Sequence, residues 1–209
     1  MVDWIKQLVR SIVRVFAGIL NRLTGGKLTP NSVTLFGLAM HIPVALLIAT
    51  RHNLWAALLL VFFGLFDTLD GELARLQNRT SANGALLDSI TDRMKEILLY
   101  SGAAYAIISN TGSPYLAVWA VAACGCSLLT SYVNAAGDVA MSKVAAHEHA
   151  TNKGFRGGLF PFEIRMVALI LGLLTNHVLW AVILIAIGAA YTALSRLLRV
   201  LTKLSEANG

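Results

Sequence analysis

Between Phe66 and Glu96 the chain reads FDTLDGELARLQNRTSANGALLDSITDRMKE, and six of its eleven acidic residues lie there. Asp67, Asp70, Gly71 and Ala74 fall at i, i+3, i+4 and i+7, so on a helix they share one face. Gly71 and Ala74 leave room beside the two carboxylates, and Arg75 reaches across the same surface. Asp88 and Asp92 fall at i, i+4 on the helix expected to begin near Asn83-Gly84. A short turn makes the two helices antiparallel neighbours, so four carboxylates are expected to converge. A charged side chain at membrane depth costs about 3 kcal/mol on insertion scales, and clustered like charges repel. Divalent ions resolve both difficulties. An all-oxygen donor set without cysteine or convergent histidine favours Mg²⁺ or Mn²⁺, with two ions expected. Such ions bridge carboxylates to phosphates, which points to a diphosphate substrate. Simple ion pairing of the aspartates with Arg75 and Arg93 leaves Gly71, Ala74 and Gly84 without a purpose.

The elements that must hold these residues are apolar. The 209 residues are 56% hydrophobic and 13% charged, with a mean hydropathy of +0.67. That is the composition of an all-α integral membrane protein, and nothing marks a second domain within 1–209. Uncharged stretches and turn signals give six expected membrane helices at about 32–50, 54–77, 83–109, 114–138, 161–175 and 178–200. Of seventeen Lys and Arg, sixteen fall in the termini and alternate connections, and Arg51 alone on the other side. This bias predicts a multi-pass cell-membrane protein with both termini and the acidic cluster cytoplasmic. Basic charge that alternates with spans also argues against nucleic acid. Residues 1–27 differ. Trp4, Ile5, Leu8, Val9, Ile12, Val13, Phe16, Ile19, Leu20 and Leu23 form one helical stripe, with basic and polar residues opposite. An interfacial amphipathic helix is expected, and its charges interrupt any signal-peptide core. Cys124 and Cys126 point to different helix faces and read as packing residues. His147-Glu148-His149 lacks a third metal ligand.

Asp67-x2-Asp70-Gly71-x2-Ala74-Arg75-x8-Gly84-x3-Asp88-x3-Asp92 resembles the signature of the CDP-alcohol phosphotransferases (CDP-alcohol phosphatidyltransferases). LTPNSVTLFG, residues 28–37, is similar to that family's entry to its first membrane helix. The resemblance implies transfer of a phosphatidyl-type group from a CDP-linked lipid donor to the hydroxyl of a small alcohol, with release of CMP. It also implies a homodimer in the lipid bilayer. Carried over by position, Asp67, Asp70 and Asp88 would be the principal metal ligands, and Asp92 the general base as well as a ligand of the second metal. Gly71 and Arg75 would hold the CDP moiety, with Ser81 near its phosphates and Asn31 and Thr34 in the nucleotide pocket. The chemistry fits. Two metals clamp the attacking and leaving oxygens, and the weakly acidic acceptor hydroxyl needs a positioned base.

Lys143, Lys153, Arg156 and Arg165, between the fourth and fifth helices, suit an acceptor that carries its own phosphate. SYVNAAGD followed by GGLFPFEIR resembles the same region of family members that use inositol phosphate. Glycerol 3-phosphate or an unphosphorylated alcohol is the alternative acceptor. An intramembrane prenyltransferase would also use aspartates and Mg²⁺, but without the Gly-x2-Ala-Arg element. An ion pathway would need polar residues along several helices, and the first, fourth and sixth have essentially none at mid-depth.

Overall fold

The computed structural model describes residues 2–145 and 158–207, with the side chains of 2–10, 143–145 and 207 set aside. All regular secondary structure among the described residues is helical: α1 Val2–Leu23, α2 Pro30–Ala49, α3 Asn53–Gly64, α4 Phe66–Leu76, α5 Ala82–Thr111, α6 Val118–Ala145 preceded by a 3-10 turn Pro114–Ala117, α7 Phe162–Leu174 and α8 Val178–Ala207. Four stretches are long and apolar enough to cross a membrane: α2, α3 with α4, the 3-10 turn with α6, and α8. The acidic α5 is not among them. Nor is α7, whose 13 residues rise only about 20 Å at 1.5 Å each, short of a hydrocarbon core of about 30 Å.

The chain divides into two compact units, Met1–Leu99 and Tyr100–Gly209, with the boundary inside α5. In the first, α2 starts at Pro30 behind an N-cap, where Thr29 Oγ1 accepts from Ser32 N at 3.2 Å. The sequence predicts one unbroken helix over 54–77. The structure breaks it at Leu65, whose N–H bonds Phe62 O three residues back at 3.2 Å. Gly64 frees the backbone there, and the rings of Phe36, Phe62, Phe63 and Phe66 pack around the bend with centroids 5.2–6.4 Å apart. The bend lies just before Asp67, so α4 takes its own direction at the start of the acidic motif.

The amphipathic stripe of α1 divides between two neighbours. Val13 and Ala17 are buried with Val33, Leu69 and Leu73, and Leu20, Leu28 and Phe66 pack around them. Ile12, Phe16, Ile19 and Leu23 stay exposed, a surface suited to the headgroup region. Part of the stripe therefore serves protein packing, which the interfacial reading alone does not include. Gln77 Nε2 ties the far ends together by donating to Asn21 Oδ1 at 2.8 Å and Leu28 O at 2.9 Å.

In the second unit α6 and α8 pack through small residues. Ala120, Ala123 and Ser127 of α6 and Ala186, Ala189 and Ala193 of α8 are buried, and Thr130 Oγ1 lies 3.2 Å from Ala189 O. Close backbone approach and interhelical hydrogen bonds are the usual means of association where lipid removes the hydrophobic drive. Gly188 receives the ring of Phe160, whose N–H is held by Thr192 Oγ1 at 3.0 Å.

Leu73 is fully buried beneath the acidic face of α4, whereas Leu76 is 43% exposed. Leu73→Ala should cost about 2–5 kcal/mol and lower the Tm measured in detergent, while Leu76→Ala leaves it nearly unchanged.

Candidate active site

The four motif aspartates come from two helices and form two pairs. Asp70, on α4, is nearly buried, and its Oδ2 accepts a 2.6 Å hydrogen bond from Thr34 Oγ1 of α2. Asp88, on α5, has its Oδ1 buried with no hydrogen-bond partner among the described residues. Both line a cavity of about 220 Å³, together with Asn31, Thr34, Gly71, Arg75, Ser81 and Gly84. Every residue expected to contact the CDP moiety is thus gathered around one space. The sequence brings them there through three local devices. The Thr29 cap starts α2 just before Asn31, the bend at Leu65 turns α4, and Ser81 Oγ caps α5 by accepting from Gly84 N at 3.1 Å.

Asp67 and Asp92 form the second pair, and a cation joins them. Lys95 Nζ donates to Asp67 Oδ1 at 2.5 Å and to Asp92 Oδ1 at 3.2 Å, and the lysine is 2% exposed. The four carboxylates are near enough to act on one another electrostatically. Yet among the described residues no three acidic, cysteine or histidine side chains close around a common point as a metal shell. Asp67 and Asp92 thus share an ammonium, while Asp70 and Asp88 line the cavity.

Arg75 is placed otherwise than ion pairing with an aspartate requires, and Arg93 is shared between Glu96 and Asp92. Arg75 Nη2 donates to Glu72 Oε1 at 2.8 Å, and Arg14 of α1 donates to Glu72 Oε2 at 3.3 Å. Arg93 Nη1 donates to Glu96 Oε1 at 2.8 Å, with its other amine 3.8 Å from Asp92. Glu72 and Glu96 are both buried, and each takes the closer contact of an arginine that stands beside the motif. Arg75 consequently lies beside Gly71, where an added Cβ would meet its Nη2 at 3.6 Å.

The donor set fits divalent ions: carboxylates in excess over the one buried ammonium, oxygen ligands only, and a buried carboxylate oxygen left unsatisfied. Sequence reasoning missed Lys95, counting it only toward topology, although its place three residues after Asp92 puts it on the same face. Glu72 was missed too, although it lies three before Arg75. In the second unit Arg165 is 1% exposed, donates to Phe160 O at 3.1 Å and lies over the Phe162 ring at 5.8 Å. Arg196 of α8, also missed, is buried, donates to Thr130 O at 3.1 Å, and is near enough to Arg165 for their charges to interact. Its place as the first charge after the uncharged run 178–195 was the available signal. Lys143 belongs to α6, but its side chain lies outside the described residues, as do Lys153, Arg156 and His147 to His149 entirely.

A family model described as CDP-alcohol phosphatidyltransferase matches residues 27–194. A phosphatidylinositol phosphate synthase of Corynebacterium glutamicum is 33% identical over 181 residues, 82% of this chain and 77% of that protein. One from Mycobacteroides abscessus is 32% identical over 162 residues, 75% of this chain and 69% of its own length. Among solved structures, the phosphatidylinositol phosphate synthase of Mycobacterium tuberculosis has the same fold. Its CDP-DAG-bound form aligns at a TM-score of 0.75 and 24% identity, over 92% of this chain and 94% of that one. A second form, with manganese and citrate, aligns at 0.75 and 24% over 91% and 89%.

Gly71 supplies a test of the cavity. A Cβ there makes only ordinary contact with protein atoms but projects among the lining residues. Gly71→Ala should leave the Tm unchanged and weaken binding of a cytidine diphosphate ligand about tenfold or more, as read by calorimetry.

Proposed function

The chain belongs to the CDP-alcohol phosphatidyltransferase family, and from that premise we propose that it transfers a phosphatidyl group from CDP-diacylglycerol to inositol phosphate, releasing CMP for phospholipid synthesis. One observation carries the donor half. Asn31, Thr34, Gly71, Arg75 and Ser81 surround one cavity whose floor includes Asp70 and the unsatisfied Oδ1 of Asp88. The acceptor rests on the names of the relatives and on the cationic character of the chain around Arg165.

In this reading Asp67, Asp70, Asp88 and Asp92 would hold divalent metal, Mg²⁺ or Mn²⁺, with two ions suited to four carboxylates. Bound there, the metal supplies charge neutralisation on the diphosphate and stabilises the departing CMP. The protein's own groups do the rest. Arg75, fixed by Glu72, and the bare backbone of Gly71 receive the CDP moiety. Thr34 orients Asp70 by donating to it. Asp92 removes the proton of the acceptor hydroxyl, whose oxygen forms a bond to the phosphatidyl phosphorus as the anhydride P–O bond to CMP breaks. Arg165, with Arg196 beside it and Lys143, Lys153 and Arg156 as further candidates, is assigned to the acceptor's phosphate.

The family match runs through both compact units, which supports one catalytic domain over the chain. Six crossings, with the extended chain that enters α7 at Pro161 making up that helix's short length, both termini and the acidic motif on the cytoplasmic face, and a homodimer complete the reading. The sixteen-to-one distribution of Lys and Arg supports the orientation.

CMP release from CDP-diacylglycerol, measured with a panel of acceptors, tests the whole. Inositol phosphate should be turned over, with activity lost in EDTA and restored by Mg²⁺ or Mn²⁺. Turnover only of glycerol 3-phosphate, or only of an unphosphorylated alcohol, would sink the acceptor assignment. Asp92→Asn should lower kcat by about two to four orders of magnitude while donor binding persists. Arg165→Lys, which keeps the charge but loses the planar fork, should raise the acceptor's KM by roughly ten- to a hundredfold. The KM for CDP-diacylglycerol should be unaffected.

A further inference from the structure

Lys95 has no part in the reaction as described above, yet it occupies the most highly charged place in the first unit. Its ammonium is 2% exposed and touches Asp67 Oδ1 and Asp92 Oδ1, one from α4 and one from its own helix. A lysine so buried loses most of its hydration, and only a pair of carboxylates makes that arrangement favourable. The same two carboxylates are among those assigned to metal. An ammonium and a divalent cation repel, and both need the same oxygen lone pairs. Asp70 and Asp88 differ: among the described residues neither touches a cation, one accepts from a neutral hydroxyl, and the other has an unsatisfied oxygen. The four aspartates are therefore unequal before any metal arrives.

We infer that Lys95 competes with metal for Asp67 and Asp92, so that the protein loads divalent ions in two unequal steps. The first ion is taken by the aspartates that lack a cation. The second must displace Lys95 from its two carboxylates and is held more weakly for that reason. In the metal-free protein Lys95 acts as an internal counter-ion that keeps Asp67 and Asp92 apart without letting them repel. When it yields, its ammonium is released toward whatever anion enters with the metal, and a diphosphate would supply one. Donor binding and second-ion binding then favour one another, because each offers a partner to a charge that the other displaces.

This inference rests on the metal reading of the motif, and the experiment separates the two. Full-length protein in lipid nanodiscs is titrated with Mn²⁺ while free ion is followed by electron paramagnetic resonance. Wild type should show a tight and a weak step. Lys95→Met should tighten the weak step by about tenfold or more and change the tight step little, whereas Lys95→Arg should keep the weak step weak. Wild-type protein alone supplies a second readout, so the test survives a variant that does not fold. Lys95 should resist reductive methylation, followed by mass spectrometry, in chelator and through the first step. It should become reactive as the second step saturates. Two unchanged steps in Lys95→Met, or continued protection of Lys95 at Mn²⁺ saturation, would overturn the competition and leave the metal site standing. Failure of both proteins to take up Mn²⁺ would overturn the metal reading and this inference together.

Discussion

Negative charge gathered at the ends of apolar helices has to be compensated, and the way it is compensated organises the first unit. Three carboxylate–cation arrangements do this. Glu72 takes Arg75 and Arg14, Glu96 takes Arg93, and Asp67 with Asp92 takes Lys95. The division is useful. The two buried glutamates engage the arginines that stand nearest the motif, and Asp70 and Asp88 are left without a basic partner. The cavity lining sets Asp70 and Asp88 beside Arg75 and Arg79, a mixture that suits cations and the phosphates they carry. Were Arg75 paired with Asp70, one of the cavity's two carboxylates would already hold a cation and would draw a metal less strongly.

The scaffold follows from the same requirement. A side chain such as Glu72 is tolerated in the interior because the guanidiniums that meet it keep their own contact with water. That brings Arg14, and with it α1, against α4. Val13 and Ala17 then have Leu69 and Leu73 to pack on, and Gln77 fastens the end of α4 to Asn21 and Leu28. The helix that was expected only to lie in the headgroup region is therefore also a brace for the helix that carries Asp67, Asp70 and Arg75. Its exposed edge, Ile12, Phe16 and Ile19, remains available to lipid.

What could be read from the sequence was periodicity, and what could not was competition between alternatives of similar energy. Spacing put Asp67, Asp70, Gly71 and Ala74 on one face, whereas the nucleotide roles of Asn31, Thr34, Ser81 and Arg75 came only from the family resemblance; the structure lines one cavity with them. The bend at Leu65 was hidden because Gly64 sits in an apolar run with no proline. Only packing among four phenylalanines, one of them thirty residues away on α2, decides for a break. Lys95 was hidden because a lysine near a membrane helix end serves topology as readily as it serves an ion pair. Which role wins depends on whether Asp67 lies within reach, and that is a tertiary fact. Likewise, Arg75 has Glu72 three residues before it and Gly71 four before it, and spacing could not rank the ion pair above Gly71's open side.

A polar site and a lipid-exposed surface are built from the same short helices, and this accounts for the economy of the motif. On α4 the acidic and small residues take one side, while Leu65 before it and Leu76 at its end are exposed. On α5, Leu86 and Ile90 are exposed two residues to either side of Asp88. In water such leucines and isoleucines would be a liability, and beside a bilayer they are an apolar solvent boundary. A substrate with a nucleotide diphosphate head and two hydrocarbon chains needs both environments within one molecular length. One helical turn separates them here. Glycine and alanine at 71 and 74 are then required for a reason beyond room for a ligand: any larger apolar residue would extend the lipid-facing surface across the face where charge must be held.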